Sequence, residues 1–142
     1  MNISAKTEYA CIAVLELALH YDTGQPVQVR RIADTHGIPS RFLVQILLQL
    51  KGAGLVGSTR GATGGYRLSV APDEITLGQV MHAIDGGWQD PASNAGRQTP
   101  VSRALLRTWQ AASERLRGML DAITFADLAE EVQSSNETMY YI

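Results

Sequence analysis

Arginine and glutamine side chains share one side of a candidate helix that begins at Ser40. Arg41 and Gln45 are one helical turn apart on that helix. The apolar residues of the segment recur at i, i+3, i+4 and i+7, which predicts one buried face: Leu43, Ile46, Leu47 and Leu50. Arginine suits the major-groove edge of guanine and glutamine that of adenine, so the outward face has the chemistry to read DNA bases.

A glycine-rich loop follows this helix and has an arginine on each side. Residues 61–65 read Gly-Ala-Thr-Gly-Gly, between Arg60 and Arg67. Such a loop cannot pack a core, and its glycines permit positive φ angles in a tight turn. A cationic loop beside a base-reading helix is typical of a wing that holds phosphate or enters the minor groove. The alternative is an ordinary hairpin turn.

Three elements must position these side chains. A short amphipathic helix over residues 29–34 buries Ile32 and Ala33, a turn follows at His36-Gly37, and the second helix covers residues 40–50. Two strands, 55–59 and 66–69, enclose the glycine-rich loop. This order predicts a mainly α fold with a small β-hairpin, a winged helix-turn-helix whose second helix enters a major groove. Modules that bind only proteins also use a three-helix core with a hairpin.

The charges divide the chain into two unequal halves. The net charge is −2, but residues 1–67 carry seven cationic against four acidic side chains, and residues 68–142 carry five against ten. Such a dipole can orient a protein on DNA. The single cysteine, Cys11, excludes an internal disulfide framework, and the sequence shows neither a signal peptide nor an 18-residue apolar run. A cytoplasmic protein without a membrane partner is expected.

The first helix is predicted over residues 4–21, with Ser4 as its N-cap. Its buried stripe is expected to be Ala10, Ala13, Val14, Leu17 and Tyr21. Lys6 lies in the first turn and either contacts a phosphate, because a helix N-terminus favours anions, or remains solvated. Thr76 and Gln79 form the pattern of a capping box for a further helix, which Gly86-Gly87 ends.

A long helix is predicted over residues 100–122, after a polar loop. Its apolar positions approximate a heptad seam: Val101, Leu105, Thr108, Trp109, Ala112, Leu116, Met119 and Ile123. A seam of this length on a small domain needs a partner, and a two-fold dimer is the commonest solution. The alternative is that it packs on its own domain. Thr124 is predicted to cap a short helix over residues 125–132, with a mobile tail over 134–142.

A specific run of motifs spans the wing and the segment after it. Gly64-Gly65-Tyr66-Arg67-Leu68 is followed by Ile75-Thr76 and by Ile84-Asp85-Gly86. Over about residues 3 to 130, the chain resembles the IscR/CymR/NsrR-type winged-helix regulators of bacteria (the Rrf-type family). The resemblance implies a DNA-binding domain at 1–86, a loop at 87–99, a dimerisation helix with a closing helix at 100–133, and a tail at 134–142.

Spacing and resemblance together predict one set of DNA contacts: Lys6, Arg30, Arg31, Ser40, Arg41, Val44, Gln45, Arg60, Thr63, Gly64, Tyr66 and Arg67. Related regulators often carry glutamate at the Val44 position, where it selects a base. Valine cannot hydrogen-bond, so it packs on a thymine methyl group or makes no contact. We therefore expect an operator that differs from those of the relatives.

The loop at 87–99 lacks the three cysteines that hold an iron–sulfur cluster in cluster-binding relatives. Iron–sulfur clusters require thiolates, and Glu8, which lies where some relatives use an acidic ligand, cannot replace them. Neither a cluster nor another cofactor is expected. His20, His36 and His82 lack the spacing of metal ligands, and His36 is expected to be structural or close to DNA. Cys11 is either a small half-buried hydrophobic residue or a redox switch.

The predicted function is that of a homodimeric, sequence-specific transcription regulator, acting as a repressor at a palindromic DNA operator. A protein or small-molecule effector would supply its signal. The alternative is a winged-helix module that binds a metabolic enzyme or another protein. An enzyme is not expected, because no catalytic constellation is present. A steep salt dependence of DNA affinity would separate the first two functions.

Overall fold

Helices dominate the computed structural model, which describes the backbone of residues 1–140 and the side chains of residues 1–136. The elements are α1 (Ala5–Leu19), α2 (Val29–His36), α3 (Ser40–Gly52), β1 (Val56–Thr59), β2 (Gly65–Leu68), α4 (Leu77–Asp85), α5 (Pro100–Ala122) and α6 (Phe125–Tyr140). Short 3-10 helices cover Tyr21–Thr23 and Pro72–Glu74. The predicted mainly α fold with a small hairpin is confirmed. Among the described residues, every helix is too short or too polar to span a lipid bilayer.

Helix α1 lies at the centre and contacts α3, α4, α6 and β2. The Ser4 side chain accepts a hydrogen bond from the Thr7 backbone N–H at 3.1 Å, which confirms the predicted N-cap. The stripe from Ala10 to Leu17 is buried as expected. The prediction for Tyr21 is wrong: α1 ends at Leu19, and the 3-10 turn leaves the Tyr21 side chain 38% exposed.

Helices α2 and α3 form the predicted helix-turn-helix. Gly37 ends α2 with a φ of 66°, a left-handed conformation that favours glycine. Helix α2 continues to His36, two residues beyond the expected end, because its last turn leads directly into that glycine. The four predicted apolar residues of α3 are its buried ones: Leu43, Ile46, Leu47 and Leu50. Burial of that stripe fixes which side of α3 faces outward.

The hairpin pairs Val56 with Leu68 and Thr59 with Gly65 in an antiparallel register. A third segment joins it, because Val27 and Tyr66 exchange two backbone hydrogen bonds of 2.8 Å each. This approach leaves no room for a side chain at position 65, where a Cβ would overlap the Val27 carbonyl. The wing is therefore attached to the segment that enters α2.

The C-terminal helices begin at well-formed caps. The capping box of Thr76 and Gln79 is confirmed, and Gly86 ends α4 with a φ of 80°. Helix α5 has the predicted bounds and starts at a second capping box, made by Thr99 and Ser102. Thr124 and Asp127 exchange backbone-to-side-chain hydrogen bonds of 3.1 Å at the start of α6.

Helix α6 continues to Tyr140, so the prediction of a helix ending at residue 132 and a tail from residue 134 is wrong up to residue 140. No glycine or proline interrupts residues 125–140. Serine and asparagine cost a helix only a few tenths of a kcal/mol each, about 0.7 at most, which a helix anchored by a buried Phe125 can absorb. The last two residues of the predicted tail, 141–142, lie outside the described residues.

Candidate nucleic-acid interface

The outward face of α3 carries the predicted base-reading residues. Ser40, Arg41, Val44 and Gln45 are all exposed, opposite the buried stripe of the same helix. The N-cap residue, Pro39, supplies no side-chain hydrogen bond to the helix. An uncapped helix N-terminus presents amide donors and a partial positive charge to an anion such as phosphate.

Leu48 belongs to the same face, although the sequence analysis did not include it. Its side chain is 55% exposed, and it follows Val44 by one helical turn. The available signal was its spacing: Leu48 is four residues after Val44 and seven after Arg41, off the buried stripe. Because leucine is most often a core residue, its residue type alone does not point to a surface contact.

A groove of about 430 Å³ separates the start of α1 from α3. Lys6 and Tyr9 of α1 line one side, and Phe42 and Gln45 of α3 line the other. The structure thus brings Lys6 next to the base-reading helix, although the two residues are far apart in sequence. Two residues that the sequence predicts to contact DNA, Lys6 and Gln45, therefore line the same groove of the protein.

The predicted wing residues divide into two groups. Arg60, Thr63 and Arg67 are exposed, and the Arg67 guanidinium donates a 3.4 Å hydrogen bond to the Gly24 carbonyl. Gly64 is buried, its N–H donates to the Gly61 carbonyl at 3.0 Å, and a Cβ on it would overlap the Thr59 carbonyl. Tyr66 is half-buried against the hydrophobic core. The first group is available for contacts, whereas Gly64 and Tyr66 shape the loop.

Two side-chain hydrogen bonds hold the wing against the helix-turn-helix. The Gln28 amide donates to the Ala62 carbonyl at 3.0 Å, across 34 residues of sequence. Gln28 makes no capping bond to α2, as its poor capping ability predicts. The Lys51 ammonium donates to the Ser58 hydroxyl at 2.7 Å, between the last turn of α3 and β1. The wing and α3 are therefore positioned as one surface.

Arg30 and Arg31 lie on the exposed side of α2. Arg30 is 3.7 Å from the Asp34 carboxylate one turn later, with the two side chains 87% and 74% exposed. Pairs this exposed contribute about 0–1 kcal/mol, so Arg30 can leave its partner for a phosphate at little cost. Arg31 is exposed as well.

His36 has a structural role. Its Nε2 lies 2.8 Å from the Glu16 carboxylate, which joins the end of α2 to α1. His20 uses its Nδ1 on the Glu16 backbone carbonyl at 2.9 Å. Within the part of the chain that the structure describes, no group of three histidine, cysteine or acidic residues could hold a metal ion. The carboxylate of Glu16 therefore positions the turn between α2 and α3.

The seam predicted on α5 is largely uncovered. Val101, Leu105, Trp109 and Met119 are 50–72% exposed, and Leu120 is the buried residue of this helix. Thr108 and Ala112 are exposed too, while Leu116 and Ile123 are half-buried. The loop attaches to a different side of α5, where the Trp88 indole N–H donates to Ser113 at 2.7 Å. Most of the seam, six of its eight residues, is thus left uncovered by its own domain.

The chain is similar to known proteins over most of its length. The model of a family described as "Rrf2: Iron-dependent Transcriptional regulator" matches residues 3–131. The chain belongs to the Rrf2 family. CymR of Bacillus subtilis is 34% identical over 143 aligned positions, with both chains covered completely. IscR of Aliivibrio salmonicida is 37% identical over 142 positions, covering 96% of this chain and 83% of the relative.

Solved structures of Rrf2 relatives share the fold. The structure of CymR (YrzC), described as the global cysteine regulator of B. subtilis, superposes with a TM-score of 0.81 at 33% identity, covering 92% of this chain and 98% of that one. T. potens IscR gives 0.77 at 28% identity, covering 95% and 90%. The winged-helix fold and the DNA-binding regulator class are thereby confirmed, and the chain is not an enzyme. The interaction-module alternative gains no support.

The description of the Rrf2 family names iron, but this chain lacks a suitable set of ligands for an iron–sulfur cluster. A cluster needs cysteine thiolates, and the one cysteine of the chain is in α1 rather than in the loop at 87–99. That loop contains no histidine either. The residues present therefore do not fit an iron–sulfur cluster.

Cys11 is half-buried and packs against the hydrophobic core. Burial, and next the negative charge of Asp85, raise the pKa of its thiol to about 11. The thiolate is the reactive form, so this environment suppresses oxidation at neutral pH. The structure supports a packing role for Cys11 over a redox switch.

Proposed function

We propose that this Rrf2-family chain is a cytoplasmic, homodimeric repressor that binds a palindromic DNA operator in a sequence-specific manner without an iron–sulfur cluster. The observation that carries the proposal is the exposed face of α3 beside a wing with Arg60 and Arg67 on its surface. Hydrogen bonds from Gln28 and Lys51 hold these two elements in a fixed relation, as simultaneous contacts to base edges and backbone require.

Each protomer places α3 in a major groove. Arg41 hydrogen-bonds a guanine and Gln45 an adenine, because their side chains match the edges of these bases. Lys6, Arg30 and Arg31 neutralise phosphates on either side of α3. The wing contributes Arg60, Thr63 and Arg67, which reach the sugar-phosphate backbone or the adjacent minor groove.

The dimer forms along α5. Its seam exposes four large apolar side chains on a helix of 23 residues, about 34 Å long at 1.5 Å per residue. A two-fold axis through this seam buries the same residues on both protomers. The two α3 helices then read half-sites that are related by the same symmetry, which makes the operator palindromic. A dimer bound across a promoter represses by excluding the polymerase.

The signal acts where α5 joins the winged domain. A cavity of about 790 Å³ lies between α4, the loop after Gly86, and α5. Its lining combines apolar Met81, Trp88 and Leu120 with charged Arg117 and Asp121. A small molecule or a protein segment seated there would change the angle between α5 and the winged domain, and with it the spacing of the two α3 helices.

The test is a selection of genomic DNA fragments by the purified protein at two salt concentrations, with the oligomeric mass measured in the same buffers. We expect one enriched palindrome, bound by a dimer, with an affinity that falls steeply with salt. Enrichment of random fragments only, or binding by a monomer, would contradict the proposal. Iron and sulfide analysis of the same anaerobically purified sample should find no stoichiometric cluster.

A further inference from the structure

The outward face of α3 is half polar and half apolar. Arg41 and Gln45 supply hydrogen-bond donors, while Val44 and Leu48 are 40% and 55% exposed. Val44 and Leu48 are four residues apart, so their side chains are neighbours along the helix. One exposed leucine needs no explanation, but an apolar pair between the base-reading side chains does.

Neither apolar side chain is part of the packed core. Val44 and Leu48 belong neither to the hydrophobic core nor to the partly buried side chains packed against it. The buried face of α3 is complete without them, through Leu43, Ile46 and Leu47. They therefore face whatever α3 docks against.

The positive charge of the surroundings favours duplex DNA as the occupant. Arg41 is on the same face, and the exposed Arg31, Arg60 and Arg67 lie on the neighbouring helix and wing. A cationic rim complements a polyanion and would repel a basic protein partner. The one apolar group that bases present in the major groove is the C5-methyl group of thymine.

We infer that Val44 and Leu48 form a methyl-reading pair that selects thymines in the operator. This inference rests on the proposed function and adds the base class that two of its contacts recognise. Arg41 to Leu48 covers seven residues, about 10 Å along the helix axis, or roughly three base-pair steps of 3.4 Å. Each half-site therefore places its two read thymines within about three to four base pairs of the guanine that Arg41 contacts.

The experiment replaces single thymines of the selected operator by deoxyuridine, in both half-sites together. Deoxyuridine removes the methyl group and keeps every hydrogen-bonding group of the base. Burial of one methyl-sized group is equivalent to ~0.8 kcal/mol, or about fourfold in affinity. We expect a loss of about fourfold per half-site at two thymine positions, with thymines outside the half-sites as controls.

Variants of the protein show which of the two side chains contacts which thymine. Val44→Ala should abolish the methyl sensitivity at one thymine and leave the other intact, and Leu48→Ala should do the reverse. Both side chains lie off the core, so the thermal midpoint of each variant should match that of the parent protein. Phe42→Ala, an exposed apolar side chain of α3 off this face, should leave both sensitivities in place.

Three results would overturn the inference. Specific binding that is indifferent to every deoxyuridine substitution would refute methyl reading while leaving the regulator function intact. Methyl sensitivity that persists in both alanine variants would assign the contact to other residues. If the protein selects no operator at all, the proposed function and the inference fall together.

Discussion

The core-facing stripes of the winged helix-turn-helix and the seam of helix α5 differ in how much of their apolar surface is covered. In the winged domain the core-facing stripe of α1 and the inward face of α3 are almost completely buried, as Leu17, Leu43 and Leu47 illustrate. On α5, Leu105 and Trp109 are half exposed, and Val101 is 72% exposed. The core-facing side chains of the winged domain pack against one another, whereas α5 exposes an apolar surface that a single protomer does not cover.

The two regions have different tasks. In the proposed dimer, the winged domain presents the DNA-reading surface, and α5 sets the distance between two such surfaces. Because the reading surface does not depend on α5 for its core, substitutions on α5 should alter assembly without altering the fold of the protomer. Substitutions in the winged core should alter both.

The largest effect is expected from the core. Phe125 is fully buried, and Phe125→Ala should lower the free energy of unfolding by ~3–5 kcal/mol, because it removes contacts and leaves a cavity. Urea denaturation measures this loss, which should be similar at low and high protein concentrations. Trp109→Ala on α5 is the matched control, and its effect should instead depend on protein concentration, as expected for a residue that stabilises only the dimer.

The seam should control assembly. Leu105→Asp places an unpaired charge in the interface twice, once per protomer, and should raise the dissociation constant of the dimer at least ~100-fold. Sedimentation equilibrium measures the dimer, and affinity for the palindrome should fall in parallel. Arg107→Asp, on the opposite side of α5, should change neither quantity. An unaffected dimer in Leu105→Asp would show that the protomers meet elsewhere.

Base selection should depend on α3 alone. Arg41→Ala should relax the preference at one guanine of each half-site by ~1–3 kcal/mol, because the arginine contact discriminates that base from the others. A competition series with each base at every operator position gives the preference directly. An unchanged preference profile would remove Arg41 from the reading surface, and the mass of the complex should stay dimeric in either case.

The wing should change affinity without changing preference. Arg60→Ala should weaken binding to all sequences equally and reduce the slope of log affinity against log salt by about 1, because one phosphate contact is lost. Arg103→Ala, an exposed arginine on α5, serves as the control and should leave the slope unchanged. Loss of preference at a single base in Arg60→Ala would assign base reading to the wing.

The smallest functional effect is expected at Cys11. A pKa raised from 9.0 to about 11 lowers the thiolate fraction about 100-fold at any pH below 9, so alkylation by iodoacetamide should be at least that much slower than for free cysteine. The rate should keep rising as the pH increases towards 11. Mass spectrometry measures the modification, and Cys11→Ala should bind the operator as the parent does. Rapid alkylation at pH 7 would instead support a redox role for Cys11.

Local patterns in the sequence determined a large part of this architecture. The stripe of α3, the caps at Ser4, Thr76 and Thr124, and both ends of α5 depend on residues within one or two turns of each other. Side-chain periodicity and capping act over that range, so they can be recognised in the sequence without knowledge of the tertiary structure. The sequence did not predict the end of α6, because serine and asparagine are typical of a C-terminal tail. In the structure, the buried Phe125 anchors the helix.

Contacts between distant residues were decided only by the tertiary structure. The pairing of Val27 with Tyr66, the bond from Gln28 to the wing, and the groove that brings Lys6 to Gln45 join elements that no local pattern relates. Periodicity predicted which face of each helix is apolar, but the faces that remain uncovered follow from which elements pack together, and that depends on the whole chain.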